Sequence, residues 1–195
     1  MSNIIETEKY RGCTIEILQD DDAPDPRAEF NVFGTMACWH SRYLLGDKDG
    51  TKGLDAKALI EELGDDCVRL PLYLYDHSGL TMNTCGFACS WDSGQVGFIY
   101  ATYEEIEREY GEVTEKTKQK ATDLLIAQVE EYDHYLRGDV VGWATTDFDG
   151  NMIDLCWGYY GWSHNDEYVM NEAKVSIDSF IENDAQGALC AGDNH

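Results

Sequence analysis

Positive charge is what this chain has least of. Fourteen Lys and Arg stand against thirty-eight Asp and Glu, a formal net charge of −24 over 195 residues. Such a chain would repel a phosphate backbone rather than neutralise it, so direct nucleic-acid binding is excluded as its function. An anionic membrane surface is excluded on the same ground. The sequence also has no run near the roughly 18 consecutive apolar residues of a membrane span. Its opening, MSNIIETEKY, lacks the basic and apolar regions of a secretion signal, and a cytoplasmic protein is expected. No repeat of solenoid period and no low-complexity tract occurs. With no obvious linker, the expectation is a single domain over residues 1–195, two small lobes being the alternative.

Cysteine is present but unpatterned. The seven cysteines (13, 38, 67, 85, 89, 156 and 190) are odd in number and scattered, mostly in apolar strand patterns. They read as reduced, buried thiols of a cytosolic protein. What the chain does have is enough apolar and aromatic material, 43% and 12%, to pack a core. Self-repulsion among the carboxylates opposes compactness, so that core must offset it. The charge favours a basic partner.

The stretch over residues 71–101, PLYLYDHSGLTMNTCGFACSWDSGQVGFIYA, is the longest that is aromatic and nearly uncharged. Leu70, Leu72 and Leu74 alternate with Tyr73 and Tyr75, a strand pattern broken by the turn residues 76–79. A short apolar piece over 84–90 and a second turn at 91–94 follow, and a strand resumes over 95–101. This stretch is read as the centre of a sheet. Residues 10–18 and 34–44 also alternate as strands, separated by an acidic loop (19–33) whose prolines at 24 and 26 are read as forbidding a helix.

Helices are expected over 55–63, stopped by Gly64, and from Thr102, where Thr102 and Glu105 form a capping box, to Gly111. The strongest helical periodicity runs from Thr114 to about Leu136. Two strands over 139–147 and 152–159 flank Asp149-Gly150, a specific hairpin signal. A last helix spans 167–181, and residues 187–195 read as a frayed tail. Runs of strands joined as hairpins predict an α+β fold, a mainly antiparallel sheet with two hairpins covered by three to four helices.

Several constellations suggest chemistry. Cys85 and Cys89 with His77 nearby resemble metal ligands, but zinc sites usually show a tighter, paired spacing that is missing here. Cys38 and His40 would share a strand face, with no third group to orient the imidazole. Asp147-Phe148-Asp149-Gly150-Asn151 looks like the start of a calcium loop, but its glycine is out of place and its flanks are strands, so a hairpin turn is the better reading. No catalytic residue, metal or cofactor is assigned.

Acidic clusters carry the remaining signal: Asp20, Asp21, Asp22 and Asp25; Glu61, Glu62, Asp65 and Asp66; Glu104, Glu105, Glu107, Glu109, Glu112 and Glu115; Glu130, Glu131 and Asp133. Each taken alone reads as a solvated face. Together they can space negative charge about 6 Å apart along a helix and about 6.6 Å apart along a strand, intervals that a phosphate-binding groove would accept. Trp143, Trp157, Tyr159, Tyr160 and Trp162 crowd the last hairpin and its end. Most read as core, and any exposed pair as an interface anchor.

At YLYDHSGLTMNT, WDSGQVGFIY, YDHYLRGDVVGW and CWGYYG the chain resembles an uncharacterised family of small acidic proteins from bacteriophages and other mobile elements. The resemblance carries no catalytic residues. It implies a setting inside a bacterium, where small acidic proteins often block host defence, as anti-restriction and anti-CRISPR proteins do. The expected function is therefore a non-enzymatic inhibitor, of nucleic-acid-mimic form, that binds a basic nucleic-acid-handling protein or ribonucleoprotein such as a Cas effector. Its expected contacts are Asp20, Asp21, Asp22, Glu104, Glu105, Glu107, Glu109, Glu112, Trp157, Tyr159 and Tyr160. The alternatives are a metal- or Cys/His-dependent enzyme of a mobile element and an acidic structural or regulatory phage protein.

Overall fold

The computed structural model describes residues 3–89 and 91–192, with side chains through residue 183. Its chain is α+β, with two four-stranded sheets that are antiparallel throughout. Contacts group the chain into two compact units, Met1–Ala23 with Gly138–His195, and Pro24–Arg137. The second is inserted into the first along the chain.

The first unit begins with β1 (Ile4–Tyr10) and β2 (Cys13–Gln19), and closes with β7 (Val140–Thr146), β8 (Met152–Tyr160) and α5 (Trp162–Gly192). Its strand order is β1-β2-β7-β8. The two-residue turn between β1 and β2 places both Arg11 and Gly12 at positive φ, 51° and 88°, the conformation whose twist matches a tight hairpin. The alternation of β2 puts Cys13, Ile15 and Ile17 on one face, where they meet Val141 and Trp143 of β7. Over them lies α5, whose Val169, Ala173 and Ile177 recur at four-residue steps and are fully buried. Burying a Val or Ile there contributes roughly 1.5–3 kcal/mol each.

The second unit holds α1 (Pro26–Glu29), β3 (Thr35–Cys38), α2 (Ala56–Leu63), β4 (Cys67–Asp76), β5 (Leu80–Asn83), β6 (Ser93–Thr102), α3 (Tyr103–Tyr110) and α4 (Glu115–Arg137). The strand order is β3-β6-β4-β5, so the stretch expected at the centre of a sheet supplies its two inner strands. One face packs on α4 and α3 through Leu72, Leu74, Ile99, Ile106, Leu125 and Val129. The other face carries Phe98 and Tyr100 against Leu59 of α2. A buried polar pin ties the 26–50 region to α4. Arg27 donates to both Asp47 carboxylate oxygens at 2.7 and 2.8 Å and to Gln128 at 2.8 Å, and Asp47 also accepts from the Met36 amide.

Several expectations are corrected. The acidic loop does contain a helix: Pro26 sits in the first turn of α1, where its missing N–H has no partner to lose, and Asp25 caps it by accepting from the Arg27 amide at 2.8 Å. The strand expected over 34–44 stops at Cys38. IIETEKY, not read as a strand, forms β1. A kink at Asn165 (φ −127°, ψ 22°) divides α5, so the helix expected from residue 167 begins just past the kink, after a short turn over 162–164, and it stays helical through Gly192, past residue 187, where a tail was expected to begin. Residues 193–195 of that tail lie outside the described residues. Among the described residues no helix is long and apolar enough to cross a membrane.

Candidate interaction surface

Charge is unevenly divided between the two units. The first carries seventeen Asp and Glu against three Lys and Arg, the second twenty-one against eleven. All three cations of the first unit are engaged internally. Lys9 donates to the Thr14 hydroxyl, Arg11 pairs with Asp178 at 2.7 Å, and Lys174 pairs with Glu8 at 2.8 Å. Little positive charge is left on that unit to screen its carboxylates from a partner.

The same unit leaves one sheet face without a helix. Tyr159 and Cys156 both pack toward α5 with their ladder partners Val141 and Trp143, because a bulge between them offsets the alternation of β8, so Leu155 and Tyr160 belong to the opposite face. On that outer face, register aligns Ile4 with Leu18 and Leu18 with Gly142. The Trp157 indole lies directly over Gly142, where a Cβ would fall 2.2 Å from the ring atom Cε3. An apolar row therefore crosses the sheet as Ile4, Leu18 and Trp157, with Leu155 beside it. Ile4 is 50% exposed, Leu155 42% and Trp157 40%. Large apolar side chains side by side on an open sheet face are the usual mark of a binding surface.

The first acidic cluster adjoins this row, because Asp20, Asp21 and Asp22 follow β2 directly after Leu18 and Gln19. The Asp20 amide donates to the Val140 carbonyl at 3.0 Å, which fixes the start of this loop against β7 beside Tyr160, the partner of Val140 in the ladder. Asp21 and Asp22 are exposed.

The aromatic trio expected as an anchor is divided by a β-bulge, where Trp157 and Gly158 (φ 86°) both stand opposite Gly142. Trp157 and Tyr160 share the outer face, whereas Tyr159 points to the core. Its hydroxyl accepts from Trp143 Nε1 at 3.0 Å, and its ring lies 6.3 Å from that of Tyr168 on α5. Burial, followed by the Cys156 thiol, pushes the Tyr159 phenol up to about 12.

The third acidic cluster lies in the other unit, on α3 and just beyond it. Glu104, Glu107, Glu109 and Glu112 are exposed. Glu105 is not open to a partner in the same way: its carboxylate accepts from the Thr102 amide at 2.7 Å and the Thr102 hydroxyl at 2.8 Å, completing the expected capping box.

Of the constellations with catalytic potential, His77 and Cys89 meet at one carboxylate. His77 Nδ1 is 3.5 Å from Asp92, and Cys89 Sγ is 3.7 Å from the same carboxylate. Cys85 is exposed, with its thiol 4.0 Å from the Gly86 carbonyl, and among the described residues these three do not converge as ligands. Burial pushes the Cys38 thiol up to about 12, with the Asp47 charge adding to it, the opposite of what a nucleophile needs. Asp147 accepts from the amides of Asp149 and Asn151 at 2.9 and 2.8 Å, which makes the 147–151 segment a hairpin turn.

Sequence reasoning missed the Ile4–Leu18–Trp157 row. Each member sits in a different strand, and only the register brings them together. No family model, curated protein or solved structure matches this chain.

Proposed function

We propose that this protein is a non-enzymatic inhibitor that binds a basic, nucleic-acid-handling surface of a host defence complex, a Cas effector being the intended target. The observation that carries the reading is the combination found in one unit: an excess of fourteen carboxylates over cations and an open apolar row at whose edge Asp20, Asp21 and Asp22 sit. The carboxylates steer a cationic surface into contact and occupy positions that phosphates would take. Trp157, Leu155 and Ile4 then supply the contact area that holds the complex together. Such a protein acts inside the bacterial cell that houses its target and needs no cofactor.

The test is capture of tagged protein from lysates expressing Cas effector complexes, washed at low and at high salt. An effector held at about 0.05 M salt and released near 1 M, where the screening length falls to about 3 Å, is the expected result. Trp157→Ala and the triple change of Asp20, Asp21 and Asp22 to Asn should each weaken capture. Changing Glu104, Glu107, Glu109 and Glu112 to Gln should weaken it less. Capture of no nucleoprotein, or capture indifferent to salt, would overturn the proposal.

A further inference from the structure

A second feature of the acidic unit lies on the helix-covered side of its sheet, away from the Trp157 row. Glu6 and Glu8 of the edge strand β1 alternate onto that side, facing the first turns of α5. Between them opens a cleft of about 320 Å³ lined by Glu6, Glu8, Trp162, Asp166, Glu167 and Met170, with Asn171 and Lys174 at its wall. Four carboxylates meet one ammonium there. Lys174 is bonded to Glu8 at 2.8 Å, and its Nζ lies 5.6 Å from the centre of the Tyr10 ring. Glu6, Asp166 and Glu167 have no cationic partner among the described residues; Asp166 accepts only from the Glu167 amide, at 2.9 Å.

The cleft thus already holds a cation from the chain itself, against a carboxylate and an aromatic ring, and has three further carboxylates in excess. Carboxylates crowded around one apolar recess repel one another, and a second cation relieves that repulsion. The half-buried Trp162 indole and Met170 give the recess an apolar wall. A planar, weakly hydrated guanidinium suits such a wall better than an ammonium does, because it can stack on the indole while its edge donates to two carboxylates.

We propose that this cleft is a receptor for an arginine side chain of the protein's basic partner. The proposal rests on the reading above that the partner is basic, and names one group that the partner must present. Lys174 acts as an internal placeholder: its bond to Glu8 keeps that carboxylate occupied until an arginine enters beside it.

The test is titration of the full-length protein with hexa-arginine and hexa-lysine peptides, followed by amide and indole NMR shifts. Shifts from hexa-arginine should centre on Trp162 and on residues 6–8 and 166–174. Hexa-lysine should bind several-fold more weakly at the same residues. The pair Glu6→Gln with Glu167→Gln should weaken hexa-arginine by roughly tenfold, the scale of two lost charge-assisted contacts. Lys174→Gln should tighten it, because Glu8 is released. Lys9→Gln makes the same change in net charge on the opposite side of the sheet, and should alter binding less than Lys174→Gln does.

Equal effects of Lys9→Gln and Lys174→Gln, shifts spread over all acidic surfaces, or equal binding of the two peptides would each overturn the arginine receptor. Failure of the wider reading looks different. If a basic complex is captured and the Glu6 and Glu167 changes leave capture untouched, the cleft proposal falls and the inhibitor reading stands. If no complex is captured, the inhibitor reading falls, and the peptide titration still decides whether the cleft takes arginine.

Discussion

The indole of Trp157 rests on the bare backbone of Gly142, across the ladder from it: a Cβ at position 142 would come within 2.2 Å of Cε3 and 2.6 Å of Cδ2. The two residues are fifteen apart in sequence and belong to the two strands of the last hairpin. Without a side chain at 142, the ring lies down over the sheet and fills the gap in the row between Leu18 and Leu155.

Gly142→Ala should therefore push the indole off the sheet. We expect a loss of about 1–3 kcal/mol, the usual scale of overpacking, read by thermal or denaturant unfolding. Tryptophan emission should shift to the red as the ring enters water. Partner capture should fall even in buffers where the variant is fully folded. A variant with unchanged stability and emission would show that the ring does not lie on Gly142.

The Arg27–Asp47 pair gives a second prediction. Arg27 is 6% exposed, and its guanidinium is held by Asp47, Gln128 and the Gly34 carbonyl. Removing Asp47 leaves a buried cation unpaired and also strips the Met36 amide of its acceptor. Asp47→Ala should cost about 3–5 kcal/mol, the range for breaking a buried pair from one side. Arg27→Met, which fills the space without a charge, should cost clearly less than Arg27→Ala. Chemical denaturation of the three variants orders them.

Alkaline pH supplies the third. Tyr132 is buried, and its hydroxyl accepts from the Gly46 amide at 3.0 Å. Burial raises its phenol above the ordinary value of 10.0. The folded state therefore holds this proton more tightly than the unfolded chain does. That contribution is complete below about pH 10 and is lost as pH rises through the folded value. Tyr132→Phe cannot ionise, so its stability should decline less between pH 9 and pH 11 than that of the parent. At pH 7 it should be less stable by about 1–3 kcal/mol, because the Gly46 amide loses its partner. Parallel slopes for the two proteins across that pH range would contradict this.

What could be read from the sequence follows a physical divide. Signals that act over a few residues held: the Thr102–Glu105 box, the Gly64 stop of α2, the Asp149-Gly150 turn and the long apolar stripe of α4. Each depends on backbone groups that neighbours in sequence satisfy. The charge imbalance was also legible, since it is a property of composition.

Errors arose where a local rule had two outcomes. Pro26 bars a helix interior yet favours the first turn, and nothing near it in sequence says which applies. IIETEKY is too charged to look like a strand. At a sheet edge, however, its outward carboxylates remain in water while its backbone pairs with β2.

Composition and short-range pattern determined on their own that this chain is α+β, strongly acidic and rich in hairpins. Tertiary structure alone decided that the strands divide into two sheets, and that the cations are scarcest where one sheet face is open. It also decided that Tyr159 turns inward while Trp157 joins Ile4 and Leu18. The reason is register. A strand of period two would put residues 157 and 159 on one face; the bulge opposite Gly142 breaks that period, and the pairing of β2 with β7, more than a hundred residues apart, sets which face meets the core.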